Sequence, residues 1–106
     1  MALLLTEKIP QLASELQCLL RRTGEEALAE QVPNLQILSR CHCGDDFCAT
    51  FYTKPKPAGS YGAGHSCLQL EPDNGMIILD VVDGKIACVE VLYRDDVREQ
   101  LLLVLP

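Results

Sequence analysis

The sequence predicts an α+β fold: an N-terminal helical hairpin, a five-stranded antiparallel β-meander and a short C-terminal helix, in one domain over residues 1–106. Three observations carry this expectation. Apolar residues recur at three- and four-residue steps up to Leu20, the period changes to two after Pro33-Asn34, and the dipeptides Asn74-Gly75 and Asp83-Gly84 mark two-residue type I′ hairpin turns.

Leu12, Leu16, Leu19 and Leu20 fall on one helical face, while Glu15, Arg21 and Arg22 fall mostly elsewhere. Pro10 suits a first helical turn, Gly24 supplies a stop, and Thr23 with Glu26 has the spacing of a capping box. The expected helices cover about residues 6–23 and 25–32. Strands are expected at about 35–43, 47–54, 65–72, 76–82 and 85–93, with helices covering one sheet face and the other face free to dimerise.

In the first hairpin, a turn centred on Asp45-Asp46 sets Cys43 opposite Cys48, Cys41 opposite Thr50 and Ser39 opposite Tyr52. Strand alternation then puts all three cysteines on the more apolar face with Leu35 and Ile37, and His42 on the other. Lys54 to Gly64 has two prolines and three glycines without periodicity and reads as a long surface loop. Its glycines are not followed by the helix start and Lys-Ser/Thr that a phosphate cradle needs.

Across the two later turns, Leu70 is expected to pair with Leu79, Leu68 with Val81, Val81 with Ile86 and Leu79 with Cys88. One face then gathers Leu68, Leu70, Ile77, Leu79, Val81, Ile86, Cys88 and Leu92. The opposite face holds Cys67, Gln69, Glu71, Ile78, Asp80, Val82, Lys85, Ala87 and Val89. Asp95 or Asp96 caps a last helix to about Leu102, with Val97, Leu101 and Leu102 returning to the core.

Fifteen acidic and nine basic side chains give a net charge of −6, which repels phosphate backbones, so nucleic acid is not an expected partner and a basic protein is. The 48 % hydrophobic content is high for so short a chain and suggests a homodimer. The N-terminal Met-Ala-Leu-Leu-Leu run has neither the basic start nor the length of a signal peptide, and no stretch approaches the roughly 18 apolar residues of a membrane span. The expected location is the cytoplasm, where the six cysteines stay reduced.

The spelling C-x-C-G-x-x-x-C-x-T-F-Y at Cys41 to Tyr52, with I-L-D-V-V-D-G-K-I-A-C-V-E-V-L at Ile78 to Leu92, resembles small uncharacterised bacterial proteins. The second stretch is also similar to a widespread bacterial domain family of unknown function that carries an I-L-D…G-x-x-x-x-E-x-L hairpin. The resemblance implies a bacterial origin and brings no activity or ligand.

Cys41, Cys43 and Cys48 are candidate zinc ligands, with His65 or Cys67 completing the set. Against this, a C-x-C pair in a strand spreads its residues about 6.5–7 Å apart and lacks the C-x-x-C knuckle. Buried thiols that pack as small hydrophobes are the preferred reading, ahead of a metal site and of a Cys43–Cys48 redox pair. Glu90 is expected on the apolar face opposite Ile77, where a buried carboxylate needs a basic partner or takes a raised pKa; the preferred reading is that it lies at the strand end and reaches water or a helix N-terminus. Asp80 and Lys85 read as an ordinary surface ion pair. With no catalytic residues assigned, the expected function is a small acidic protein-protein interaction module that binds a basic partner; the alternative is a metal-binding or thiol-redox protein built on the cysteine hairpin.

Overall fold

The structure, a computed structural model, describes residues 2–105; Met1, with which the N-terminal run begins, and Pro106 lie outside it. Helices α1 (Leu5–Lys8) and α2 (Pro10–Arg22) are separated at Ile9, whose φ of −134° and ψ of 69° leave the helical region. A proline ring crowds the residue before it out of that region, so the helix expected from residue 6 breaks at Ile9 and restarts on Pro10. The expected apolar stripe is present, with Leu12, Ala13, Leu16, Leu19 and Leu20 buried.

The capping box does not form. Thr23 Oγ1 donates back to the carbonyls of Leu19 and Leu20, both at 3.0 Å, and Glu26 pairs with Arg21 at 3.3 Å. The hydroxyl therefore closes α2 rather than opening the next helix. That helix, α3 (Glu26–Ala29), is a single turn followed by a 3₁₀ turn at Val32–Asn34.

Five strands, β1 (Ser39–Arg40), β2 (Phe51–Tyr52), β3 (His65–Leu70), β4 (Met76–Val82) and β5 (Lys85–Leu92), form one antiparallel sheet of order β1-β2-β5-β4-β3. The α+β class and the five antiparallel strands are as expected, but the strands do not run as a sequential meander, because β5 stands between β2 and β4. Burial explains the placement. β5 buries Ile86, Ala87, Cys88, Val89 and Val91, so both its faces need cover, whereas β3 buries only Leu70 and suits an edge.

Both later hairpins depart from ideal register for identifiable reasons. Asp83 and Gly84 have φ of 50° and 78°, as a type I′ turn requires, and Val81 pairs with Ile86 as expected. One residue further the ladder slips, so that Asp80 pairs with Cys88 and Leu79 with Val89. Ala87 is the extra residue; its carbonyl turns to β2 and accepts from the N–H groups of Thr53 at 3.0 Å and Lys54 at 3.3 Å. In the other hairpin Leu68 pairs with Leu79 and Leu70 with Ile77, two residues from the expected register. Pro72 has no N–H to give to a ladder, so the pairing ends before it and the turn widens beyond Asn74-Gly75.

These slips redistribute the faces. Phe51, Leu68, Leu70, Ile77, Leu79, Val81, Ile86, Val89 and Val91 look into the core with Leu12, Leu16 and Leu20, while Cys88, Glu90 and Leu92 join Cys67, Gln69, Ile78 and Asp80 on the outer face. Helix α4 (Asp95–Val104) returns Val97 and Leu101 to the core; Asp95 and Asp96 lie in its first turn without forming a side-chain cap. Among the described residues no helix is long and apolar enough to cross a membrane, and no buried side-chain polar atom lacks a partner.

Candidate metal centre

The cysteine hairpin keeps its expected pairing and reverses its expected face. Ser39 pairs with Tyr52, and Cys41 N–H donates to the Thr50 carbonyl at 2.9 Å. Arg40 is the partner of Phe51, which is fully buried, so Cys41, Thr50 and Tyr52 belong to the outer side. The alternation breaks because residues 36–37 pair with the N-terminal segment, through the Leu4–Gln36 bridge and the 2.7 Å bond from Ile37 N–H to the Leu3 carbonyl, and not with β2. The reading of Cys41, Cys43 and Cys48 as core thiols is thereby corrected: Cys43 is exposed and the other two are half-buried.

At the tip, Gly44 takes a φ of +83°, and Cys48 N–H donates to the Asp45 carbonyl at 3.3 Å. This left-handed step turns Cys43 back over Cys48, and the sulfurs of Cys41, Cys43 and Cys48 lie within 4.8 Å of one another. The Asp45 N–H favours a Cys43 thiolate, but hydrogen bonding to Cys41 and Cys48 prevails and its pKa stands at about 11. Burial raises the Cys48 pKa; hydrogen bonds from the Thr50 hydroxyl and N–H, and from the Cys43 and Cys41 thiols, outweigh it and bring the pKa below the ordinary thiol value. Ionisation is thus favoured at Cys48 over Cys43. Such a cluster could hold a metal ion.

A second group of side chains lies further along the same face. Ladder pairing sets Tyr52, Cys88, Asp80 and Cys67 in a row across β2, β5, β4 and β3. His65 Nε2 is 2.8 Å from Asp80 Oδ1, and Cys67 Sγ is 3.3 Å from the same oxygen and 3.8 Å from the same nitrogen. His65 therefore does not complete the cysteine trio; with Cys67 and Asp80 it makes a separate cluster. Tyr61, from the loop before β3, packs on the His65 ring with centroids 4.7 Å apart. His42 is exposed and belongs to neither cluster.

Between the clusters a cleft of about 260 Å³ is lined by Cys41, Cys48, Tyr52, Tyr61, Cys88 and Glu90, among others. The Ala87 bulge places Glu90 here, opposite Ile78, and not on the apolar face opposite Ile77. Its pKa is raised by burial and then by the neighbouring Asp80 carboxylate. Burial works to raise Asp80 as well, but hydrogen bonds from His65, Cys67 and Glu90 bring it below the usual carboxylate value. Cys67 is raised by its bond to Asp80, Cys88 by burial, and Tyr61 by burial to about 12.

Asp80, Cys88 and Tyr61 are the site residues that sequence reasoning missed. Asp80 is buried against His65 and Cys67, not paired with Lys85 at the surface. Pro72 was the available signal: a ladder that ends before it sets Cys67 opposite Asp80. Cys67, His65 and Asp80 have the residue types of a nucleophile relay but not its geometry, since Asp80 and Cys67 approach the same imidazole nitrogen and a relay needs one on each.

Compared with protein-family models, curated proteins and solved structures, the chain has no match.

Proposed function

We propose that the protein binds a thiophilic metal ion, zinc in the first instance, through Cys41, Cys43 and Cys48. The observation that carries this reading is the convergence of three sulfurs within 4.8 Å at a hairpin tip. Sulfurs around a tetrahedral zinc stand about 3.8 Å apart, given Zn–S bonds of about 2.3 Å. The exposed Cys43 side chain has the freedom to close that difference. A thiol-redox pair, the competing use of the hairpin, needs two sulfurs and leaves the third without a role.

Three protein ligands leave one position for water or an incoming ligand, and the hydrophobic core is complete without the ion. The ion is therefore cargo or cofactor for a protein that is already folded, unlike the ion of a zinc finger. Titration of the reduced protein with Co2+ tests this. One equivalent bound at the tip with an intense, multi-thiolate sulfur-to-metal charge-transfer band, displaced by Zn2+, is expected, and that intense band should be lost in Cys43→Ser/Cys48→Ser; a band of undiminished intensity in that variant, or none in the wild type, overturns the reading.

A second reading, an acidic module that docks a basic protein, draws on the net charge of −6 and on an aromatic platform beside the tip. Phe47 and Tyr93 stack there with centroids 5.1 Å apart, and Tyr93 is 62 % exposed. Salt-sensitive capture of a basic protein, weakened by Tyr93→Ala, is its test.

A further inference from the structure

We propose that His65, Cys67 and Asp80 form a second and separate site for a borderline divalent cation of the Zn2+ or Co2+ class, with three protein ligands and a fourth position left to water or an exogenous ligand. The separations among the three donor atoms carry the argument. For bonds of about 2.0–2.3 Å, neighbouring donors on a tetrahedral ion are about 3.3–3.8 Å apart. The three edges here are 2.8, 3.3 and 3.8 Å. Opening the His65–Asp80 edge by about 0.5 Å brings the whole triangle into that range.

The backbone already holds the set in place. Cys67 and Asp80 are directly opposed partners within the β3–β4 ladder, and His65 lies two residues before Cys67 on the same strand face. Ligands on paired strands need no loop closure to converge, so little ordering is left for the ion to impose. Tyr61 packs against the imidazole with its ring tilted by 41° and restricts its movement.

Ligand chemistry narrows the ion. One nitrogen, one sulfur and one oxygen do not suit Mg2+ or Ca2+, which take oxygen, or Cu+, which prefers sulfur; the mixed set suits zinc and its neighbours. It differs from the all-sulfur tip in donor type, since mixed three-ligand sets are typical of ions that keep an exchangeable water. Glu90 lines the same cleft as Asp80, where an outer carboxylate orients a ligating one.

The test starts from the full chain carrying Cys43→Ser/Cys48→Ser, which removes the sulfur trio. Titrated with Co2+ under reducing conditions, this variant is expected to keep one ion per chain with a weak, single-thiolate charge-transfer band. Adding Cys67→Ser should abolish the band, and adding His65→Gln or Asp80→Asn should weaken binding by more than the roughly 10–100-fold that loss of an outer-shell partner costs. Cys67 and His65 lie on an exposed edge strand, so their variants report on binding even if Asp80→Asn fails to fold. A Cys43→Ser/Cys48→Ser protein that holds no ion, or one whose binding ignores Cys67→Ser and His65→Gln, overturns the proposal. Wild-type protein whose single ion is lost with Cys67→Ser but kept in Cys43→Ser/Cys48→Ser would support this site and refute the tip.

Discussion

Cys67 stands directly opposite Asp80 across the β3–β4 ladder, its Sγ 3.3 Å from the carboxylate Oδ1. Asp80 also accepts from His65 and borders Glu90, so one buried carboxylate is shared by three neighbouring side chains. The two acids shift in opposite directions: Asp80 down, Glu90 up.

Glu90→Gln should therefore stabilise the metal-free protein at neutral pH. A carboxyl whose folded pKa exceeds its unfolded value of 4.5 makes a contribution that is present in full below that value and is lost as pH rises through the folded pKa. Glutamine resembles the protonated acid, so the variant should match wild type near pH 4 and melt a few degrees higher at pH 7. Asp80 works the other way: its lowered pKa gives stability above 3.8 that is lost as pH falls through the folded value. Melting curves from pH 3 to 8 in chelator check both, and a Glu90→Gln gain that is independent of pH contradicts the coupling.

Arg94 clamps the two layers. Its Nη1 and Nη2 donate to Glu15 Oε2 and Oε1 at 2.9 and 2.8 Å, joining α2 to the turn before α4, and it also reaches Asp96 and the Asn74 carbonyl. Only 11 % of the Arg94 side chain and 26 % of Glu15 is exposed, so the bidentate pair is not an ordinary surface contact. Arg94→Ala should cost about 2 kcal/mol in chemical denaturation, and Arg94→Lys most of that, because an ammonium cannot span both oxygens. A double-mutant cycle with Glu15→Ala should return a coupling of about 1 kcal/mol or more.

Glycine positions separate two causes of instability. At Gly84 an added Cβ meets nothing within 4 Å, so Gly84→Ala carries only the cost of its left-handed backbone, about 1–2 kcal/mol. At Gly75 the same atom would stand 2.5 Å from the Leu92 carbonyl oxygen and 2.7 Å from Arg94 Cγ. Gly75→Ala should therefore cost clearly more, and it should loosen the Arg94 clamp as well; equal losses in urea midpoint would refute the distinction.

Local signals were the legible ones. The α2 stripe, the Asp83-Gly84 turn and the two-residue period in β4 each follow from neighbouring residues, and each is present. What sequence reading did not reach depends on distant groups. The place of β5 beside β2 is a choice among strands, and the Ala87 bulge exists because its carbonyl serves Thr53 and Lys54, more than thirty residues away in sequence. The bulge alone moves Cys88 and Glu90 to the outer face, so one unseen residue in a ladder changed the candidate site more than any motif did. Pro72 was visible, and its missing N–H sets the β3–β4 register on which the His65–Cys67–Asp80 cluster depends.

Phe51 ties the hairpin to the core. It is fully buried and pairs with Arg40 on one side and Val89 on the other. Phe51→Ala should cost about 3–5 kcal/mol, and Phe51→Leu much less, since leucine refills most of the space. Because β1 reaches the sheet only through β2, Phe51→Ala should also weaken Co2+ binding at the Cys41–Cys43–Cys48 tip, while Arg94→Ala, with its clamp elsewhere, should leave that binding unchanged.

The last prediction separates folding from ion binding. If the ion is bound by an already folded chain, chelator should leave the far-ultraviolet circular dichroism unchanged, and zinc should act only by mass action. Free Zn2+ at 100 times Kd then adds about 2.7 kcal/mol, raising the melting temperature of a chain this size by roughly 10–20 °C per bound ion. Cys43→Ser should remove the rise at the tip while melting like wild type in chelator, because its side chain is exposed and contributes nothing to the core. Loss of helix and strand signal on chelation would instead make the ion part of the fold, and the core described here would not be sufficient on its own.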